Sequence, residues 1–219
     1  MPGYRIKYST LSIGTEDFHL CSLRDKQQFA DADGAAERAG ISSATWSLFG
    51  QLWLSGEVLA CAMQVFPVAG LRILELGCGL GLSSLVLKRL KADITASDYH
   101  PLASEFLARN TLLNQLPPIR YTRCDWAQAY PALGLFDLII GSDLLYERAH
   151  PALLAGFIER HTTAKARVLI VDPRRGHTAN FTREMANFGY QQDTDLDNAH
   201  DSADVPFKGR ILSYSRKAA

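Results

Sequence analysis

The 219-residue sequence predicts an α/β fold, doubly wound, with a mostly parallel sheet covered by helices on both faces. Three observations predict it. Short apolar runs ending in an acid alternate with stretches at helical spacing. One of those runs ends in a glycine-rich turn that opens a helix. A composition of 47% hydrophobic and 21% charged residues is that of a domain with a full core. The length fits one domain with a small appendage, and the change of pattern places the boundary between residues 1–45 and 46–219.

Taken in order, Tyr4, Ile6 and Tyr8, then Phe18 and Leu20, alternate on either side of Gly14 and predict a short N-terminal β-hairpin. The polar stretch RDKQQFADADGAAERAG reads as a loop or a partly helical crossover. Helical spacing starts near Trp46 and runs through Leu52, Val58, Leu59 and Met63 to Pro67. LRILELG is then a short apolar strand, and Leu82, Leu85, Val86 and Leu90 form a helix stripe. ADITASD is the next strand. Pro101 stands where a first helical turn tolerates it, ahead of Leu102, Phe106 and Leu113 on one face. IRYTRCD, LFDLIIGSD and ARVLIVD are three further strands, with helices expected around Leu154–Ile158 and Phe181–Phe188. YQQDTDLD and GRILSYSRK close the chain as an antiparallel hairpin at the sheet edge, which brings the sheet to seven strands.

Lys plus Arg and Asp plus Glu both number 23, so the net charge is zero and a broad phosphate-neutralising footprint on nucleic acid is not expected. No apolar run reaches the roughly 18–20 residues of a membrane-spanning helix, and the N-terminus lacks the order of a signal peptide. Cys21, Cys61, Cys78 and Cys124 form no C-x-x-C pair, so no metal site is expected and reduced thiols in a cytoplasm are the simplest reading.

The chemistry is concentrated beyond the strand ends. Glu75-Leu76-Gly77-Cys78-Gly79-Leu80-Gly81 ends a strand and opens a helix, where glycines let a ligand approach the backbone. A dinucleotide fingerprint would need glycine at position 82, where this chain has Leu82. Asp98 ends the second strand 21 residues after Gly77. A carboxylate there can accept two hydrogen bonds from a ribose diol, and its alternative is a cap for the next helix. Asp125 beside Trp126 suits an adenine, one near the exocyclic amine and the other against the ring; core packing is the other use of such a tryptophan. Asp143 and Tyr146 lie three apart after the fourth strand and would share one side of a helical turn. A helix N-cap at Asp143 with a packed Tyr146 is the structural alternative.

Together, E-L-G-x-G-x-G, Asp98, C-D-W and S-D-L-L-Y resemble the class I, seven-stranded S-adenosylmethionine-dependent methyltransferases, whose sheet is Rossmann-like. Asp143-x-x-Tyr146 looks like the methyltransferase-like branch of protein lysine methyltransferases. Leu52-Trp53-Leu54-Ser55-Gly56 stands where that branch carries a tryptophan segment, and R-N-T-L-L-N at 109–114 and Asp172-Pro173 also match. The resemblance covers residues 46 to about 190. It implies that Trp53, Gly77, Cys78, Gly79, Asp98, Trp126 and Ser142 line S-adenosyl-L-methionine, with Glu75, Gly81 and Asp125 completing the cofactor set. It implies Asp143 and Tyr146 as the catalytic pair flanking the methyl acceptor, and S-adenosyl-L-homocysteine as a product. Two departures stand out: Leu54 replaces the proline usual after the tryptophan, and Arg174 replaces the glycine of D-P-G-R in the flavoprotein-type enzymes.

The expected reaction is methyl transfer to a lysine amine of a protein substrate, by a cytoplasmic monomer that binds neither membrane nor, by expectation, nucleic acid. Holding both reactants in line can supply roughly 7–11 kcal/mol. A lysine with a pKa of about 10.4 costs on the order of 4–5 kcal/mol to hold neutral at pH 7. A carboxylate opposes that deprotonation, so Asp143 is expected to capture and orient the ammonium while Tyr146 hydrogen-bonds the amine or walls the channel. The alternatives are a small-molecule amine or RNA acceptor, and a non-catalytic module that binds the cofactor.

Overall fold

The computed structural model describes residues 3–26, 28, 30–193 and 207–216. Strands β1 (Ile6–Ile13) and β2 (Glu16–Leu23) form the N-terminal hairpin, with Ile13 opposite Glu16 and Gly14 at φ +61° in the turn. The polar stretch that follows contains one helical turn, α1 (Ala35–Arg38).

The helix expected to run from Trp46 to Pro67 is two helices, α2 (Ser43–Trp46) and α3 (Leu54–Val65). Residues 47–53 leave the helix because Gly50, at φ +78°, turns the chain back onto the end of β2, where Leu23 N donates to Gly50 O at 2.8 Å. A side chain at position 50 would collide with Leu23.

Alternation resumes with β3 (Arg72–Leu76), α4 (Leu82–Arg89), β4 (Asp93–Asp98), α5 (Ala103–Leu113) and β5 (Arg120–Arg123). It continues with β6 (Phe136–Ser142), α6 (His150–Arg160), β7 (Thr162–Asp172) and α7 (Thr178–Asn187). Then β8 (Tyr190–Asp193) and β9 (Arg210–Arg216) pair antiparallel, as expected of the tail. The sheet order is β5-β4-β3-β6-β7-β9-β8, with β9 antiparallel to both of its neighbours.

Period-two strands explain why both faces are covered. Ile73 of β3 and Leu169 and Val171 of β7 pack in one core with α3 and α4, whereas Leu74, Leu76, Val168 and Ile170 pack in the other with α6 and α7. The hairpin shares the first of these cores, through the fully buried Phe18 and Leu20, each worth roughly 1.5–3 kcal/mol. Arg89, in the last turn of α4, lies over the Phe18 ring and pairs with Glu16 at 3.1 Å. Among the described residues, no helix is long and apolar enough to cross a membrane.

Candidate active site

Strand order reverses between β3 and β6, and at the carboxyl ends of these strands lies a cleft of about 530 Å³. This is the topological switch point at which doubly wound sheets hold their ligands. The three glycines of the turn after β3 differ in what they face. Side chains at Gly77 and Gly81 would collide with Leu144 and Leu107, so both serve packing. Gly79, at φ +53°, has no atom within 4 Å of a built Cβ and opens into the cleft. A cradle that a methyl group would fill is what a ligand pressed against the backbone requires.

Asp98 holds the turn in place. Its Oδ2 accepts from Gly79 N and its Oδ1 from His100 N, both at 2.8 Å. It does not cap α5, whose N-cap residue is Leu102. Burial raises the carboxyl pKa, opposed by those backbone donors. Of the expected cofactor residues, Trp53, Gly77, Gly79, Asp98, Asp125, Trp126 and Ser142 line the cleft. Glu75, Cys78 and Gly81 do not. Glu75 is buried behind the turn and anchors the start of α4, accepting from Ser84 N at 2.9 Å and from the Ser84 hydroxyl. Burial pushes its carboxyl up to about 7. Desolvation likewise raises the Cys78 thiol.

Around this floor, Trp126 meets the His150 ring edge-on at 5.4 Å, and Trp53 Nε1 donates to Leu48 O at 3.0 Å. Asp125 is occupied locally: its Oδ1 accepts from Ala127 N, and its own N–H donates to the Tyr130 hydroxyl.

Asp143 and Tyr146 both line the cleft, but not on a helical turn. Residues 143–146 form a non-helical loop, with Asp143 left-handed at φ +55° and its N–H bonded to Val171 O, and α6 begins only at His150. The Asp143 carboxylate is not bare either. Arg175 grips it with a two-pronged pair, Nε to Oδ1 at 2.8 Å and a terminal nitrogen to Oδ2 at 2.7 Å. Tyr146 packs edge-on against His150 at 4.4 Å. Desolvation, then the carboxylates of Asp98, Glu147 and Asp143, push its phenol up to about 12.

Sequence reasoning did not find Arg175, Gln51 or the wall over the cleft. Arg175 belongs to the D-P-x-R stretch, beside Arg174; that neighbour stands at φ +68°, a conformation natural to the glycine it replaces. Gln51, a polar residue amid apolar neighbours, was a usable signal: it is buried, reaches Leu23 O at 3.3 Å and faces the cleft. The wall over the cleft is the segment from Ala39 to Gly50. The Tyr99 hydroxyl bonds Ala39 O, and the His100 ring stacks on Phe49 at 4.0 Å and 3°. Burial drives the His100 pKa down to about 3, so that ring is neutral.

A seven-stranded sheet in this order, with a glycine turn and an acid facing one cleft, is the architecture of the Rossmann-like methyltransferases. The structure superimposes on a 16S rRNA methyltransferase of T. thermophilus with a TM-score of 0.65 at 14% identity, covering 97% of this chain and 51% of that one. A sequence model described as lysine methyltransferase matches residues 40–188, and the chain belongs to that family. Protein N-lysine methyltransferase METTL21A of Danio rerio is 32% identical over 128 residues, 54% of this chain and 55% of that protein. Calmodulin-lysine N-methyltransferase of Arabidopsis thaliana is 29% identical over 150 residues, 63% of this chain and 49% of the relative. The chain thus spans about half the length of the curated relatives it matches.

Proposed function

We propose that the chain transfers a methyl group from S-adenosyl-L-methionine to a lysine amine of a protein substrate. The observation that carries this is the juxtaposition in one cleft of the open Gly79 cradle, Asp98 and the Asp143–Tyr146 loop, in a chain of the lysine methyltransferase family. When bound, the cofactor supplies a methyl on a positively charged sulfur, open to in-line attack by a neutral nitrogen and leaving S-adenosyl-L-homocysteine.

The residues present fit it. The Asp98 oxygens accept backbone N–H groups from Gly79 and His100, and a carboxylate has about four acceptor sites, so acceptor capacity remains for ribose hydroxyls. Gly77 and Ser142 continue the floor, and Trp53 and Trp126 supply flat walls. Glu75 fixes the helix behind the turn, and Cys78 and Gly81 shape the turn itself.

Asp143 acts differently from the sequence expectation. Paired with Arg175, it carries no uncompensated charge, so an incoming ammonium is not locked in its charged form. The pair orients the acceptor through the carboxylate edges, and the proton leaves to water. Tyr146 stays protonated through neutral pH and serves as a hydrogen-bonding wall, not as a base.

The same reading takes residues 46–219 as the transferase domain and 1–45 as its N-terminal extension. It takes a monomer in the cytoplasm, supported by four unpaired thiols. The test is incubation with methyl-tritiated S-adenosyl-L-methionine and cell extract, followed by separation into protein, RNA and small-molecule fractions. Label in a discrete protein band, lost with Asp143→Ala, supports the proposal. Label confined to RNA or small molecules overturns the acceptor assignment and leaves the cofactor assignment standing.

A further inference from the structure

Two asparagines on α5, Asn110 and Asn114, meet the N-terminal hairpin in nearly the same way. Asn114 Oδ1 accepts from His19 N at 2.9 Å, and its Nδ2 donates to His19 O at 2.7 Å. Asn110 Oδ1 accepts from Cys21 N at 2.7 Å, and its Nδ2 donates to Cys21 O at 3.3 Å. The matching of periods explains the pattern. Two strand residues advance about 6.8 Å and four helix residues about 6.0 Å, so side-chain amides one turn apart can stand in for a missing neighbour strand.

The two differ in their third bond. Asn114 spends its remaining N–H on Asn110 O, within its own helix, at 2.8 Å. Asn110 donates to Leu80 O at 2.9 Å, in the middle of the glycine turn. Leu80 is flanked by Gly79 and Gly81, both left-handed, so the orientation of its carbonyl has little intrinsic restraint. Gly79 N is held by Asp98 and Gly81 N by Cys78 O at 2.7 Å; Asn110, fully buried, holds the carbonyl between them.

We infer that Asn110 is a positioning residue for the cofactor turn, and that through it the N-terminal hairpin is coupled to the cleft. The inference rests on the cofactor reading above. It makes the hairpin part of the machinery that sets cofactor affinity, although residues 6–23 lie outside the stretch matched to the family. By linkage, a ligand that tightens the turn also tightens the hairpin's bonds to Asn110.

Calorimetric titration with S-adenosyl-L-homocysteine tests it, using the full chain, Asn110→Ala and Asn114→Ala. Both variants lose an asparagine tie to the hairpin, and only the first loses the tie to the turn. The expected result is affinity weakened about tenfold or more in Asn110→Ala and nearly unchanged in Asn114→Ala. Equal affinities in the two variants, whether weakened or not, would overturn the coupling. Should Asn110→Ala not fold, amide exchange in the wild-type chain decides. Ligand that slows the Cys21 amide more than the His19 amide supports the inference, and equal slowing overturns it. No binding by the wild-type chain would overturn the cofactor reading and the inference with it.

Discussion

Replacing Glu75 with glutamine separates two roles for an acid in the glycine motif: cofactor contact and anchor for α4. The residue is 4% exposed, and its carboxyl is raised from 4.5 to about 7, chiefly by burial. In the unfolded chain the group ionises near 4.5; in the folded chain it holds its proton to about 7. The folded state therefore binds the extra proton in this window, and stability falls as pH rises through it. At about 1.4 kcal/mol per unit, the loss is on the order of 3 kcal/mol, complete above the folded pKa. Glutamine keeps an oxygen to accept from Ser84 but does not titrate. Any cost of its amide group is a constant offset. Urea unfolding of both proteins at about pH 5 and pH 8 should show the variant gaining about 2–3 kcal/mol relative to the wild type across that interval. Its affinity for S-adenosyl-L-homocysteine should be unchanged, because the side chain does not reach the cleft. Parallel stability curves for the two proteins would refute the buried, proton-holding anchor.

The glycines of the turn should separate in the same assays. Gly79→Ala costs about 1 kcal/mol of backbone strain and abolishes S-adenosyl-L-homocysteine binding, whereas Gly81→Ala costs about 1–3 kcal/mol more through its collision with Leu107. Arg174→Gly, relieving a left-handed arginine, should raise the urea midpoint by about 0.5–1 kcal/mol in stability. Arg175→Met bares the Asp143 carboxylate. A unit charge about 4 Å away is worth about 4 kcal/mol at an effective dielectric of 20, and the open mouth reduces this to about one pH unit. The acid limb of the methyl-transfer rate should move up by that amount, and Asp143→Asn in the same protein should return the limb to its original pH at a lower overall rate. A rate lowered evenly at every pH would make the pair a scaffold only.

Much of this architecture is legible in the sequence because it follows from local periodicity. A run such as VLIV is apolar on both faces, which only a sheet covered on both sides accommodates, and Gly14 marks the turn of the hairpin. The break between Trp46 and Leu54 was not legible. The apolar spacing continues through it, and Gly50 leaves the helix to meet Leu23, a contact distant in sequence. Asp143-x-x-Tyr146 misled for a similar reason: three-residue spacing implies a helical face only if the residues are helical, and Val171 O pins Asp143, left-handed, in a non-helical loop. Arg175 was invisible as a partner because it lies 32 residues from Asp143, on the loop after the adjacent strand. Asn110 and Asn114 sit four apart on a helix, and nothing local announces that a strand 89 and 95 residues upstream takes both.

The most direct measurement of the central claim is amino-acid analysis of the protein band labelled by the purified chain with methyl-tritiated S-adenosyl-L-methionine. Complete acid hydrolysis followed by chromatography against methylated standards should place the tritium in methylated lysine. Tritium in methylated arginine or histidine, or released by mild base as from a methyl ester, would contradict the account.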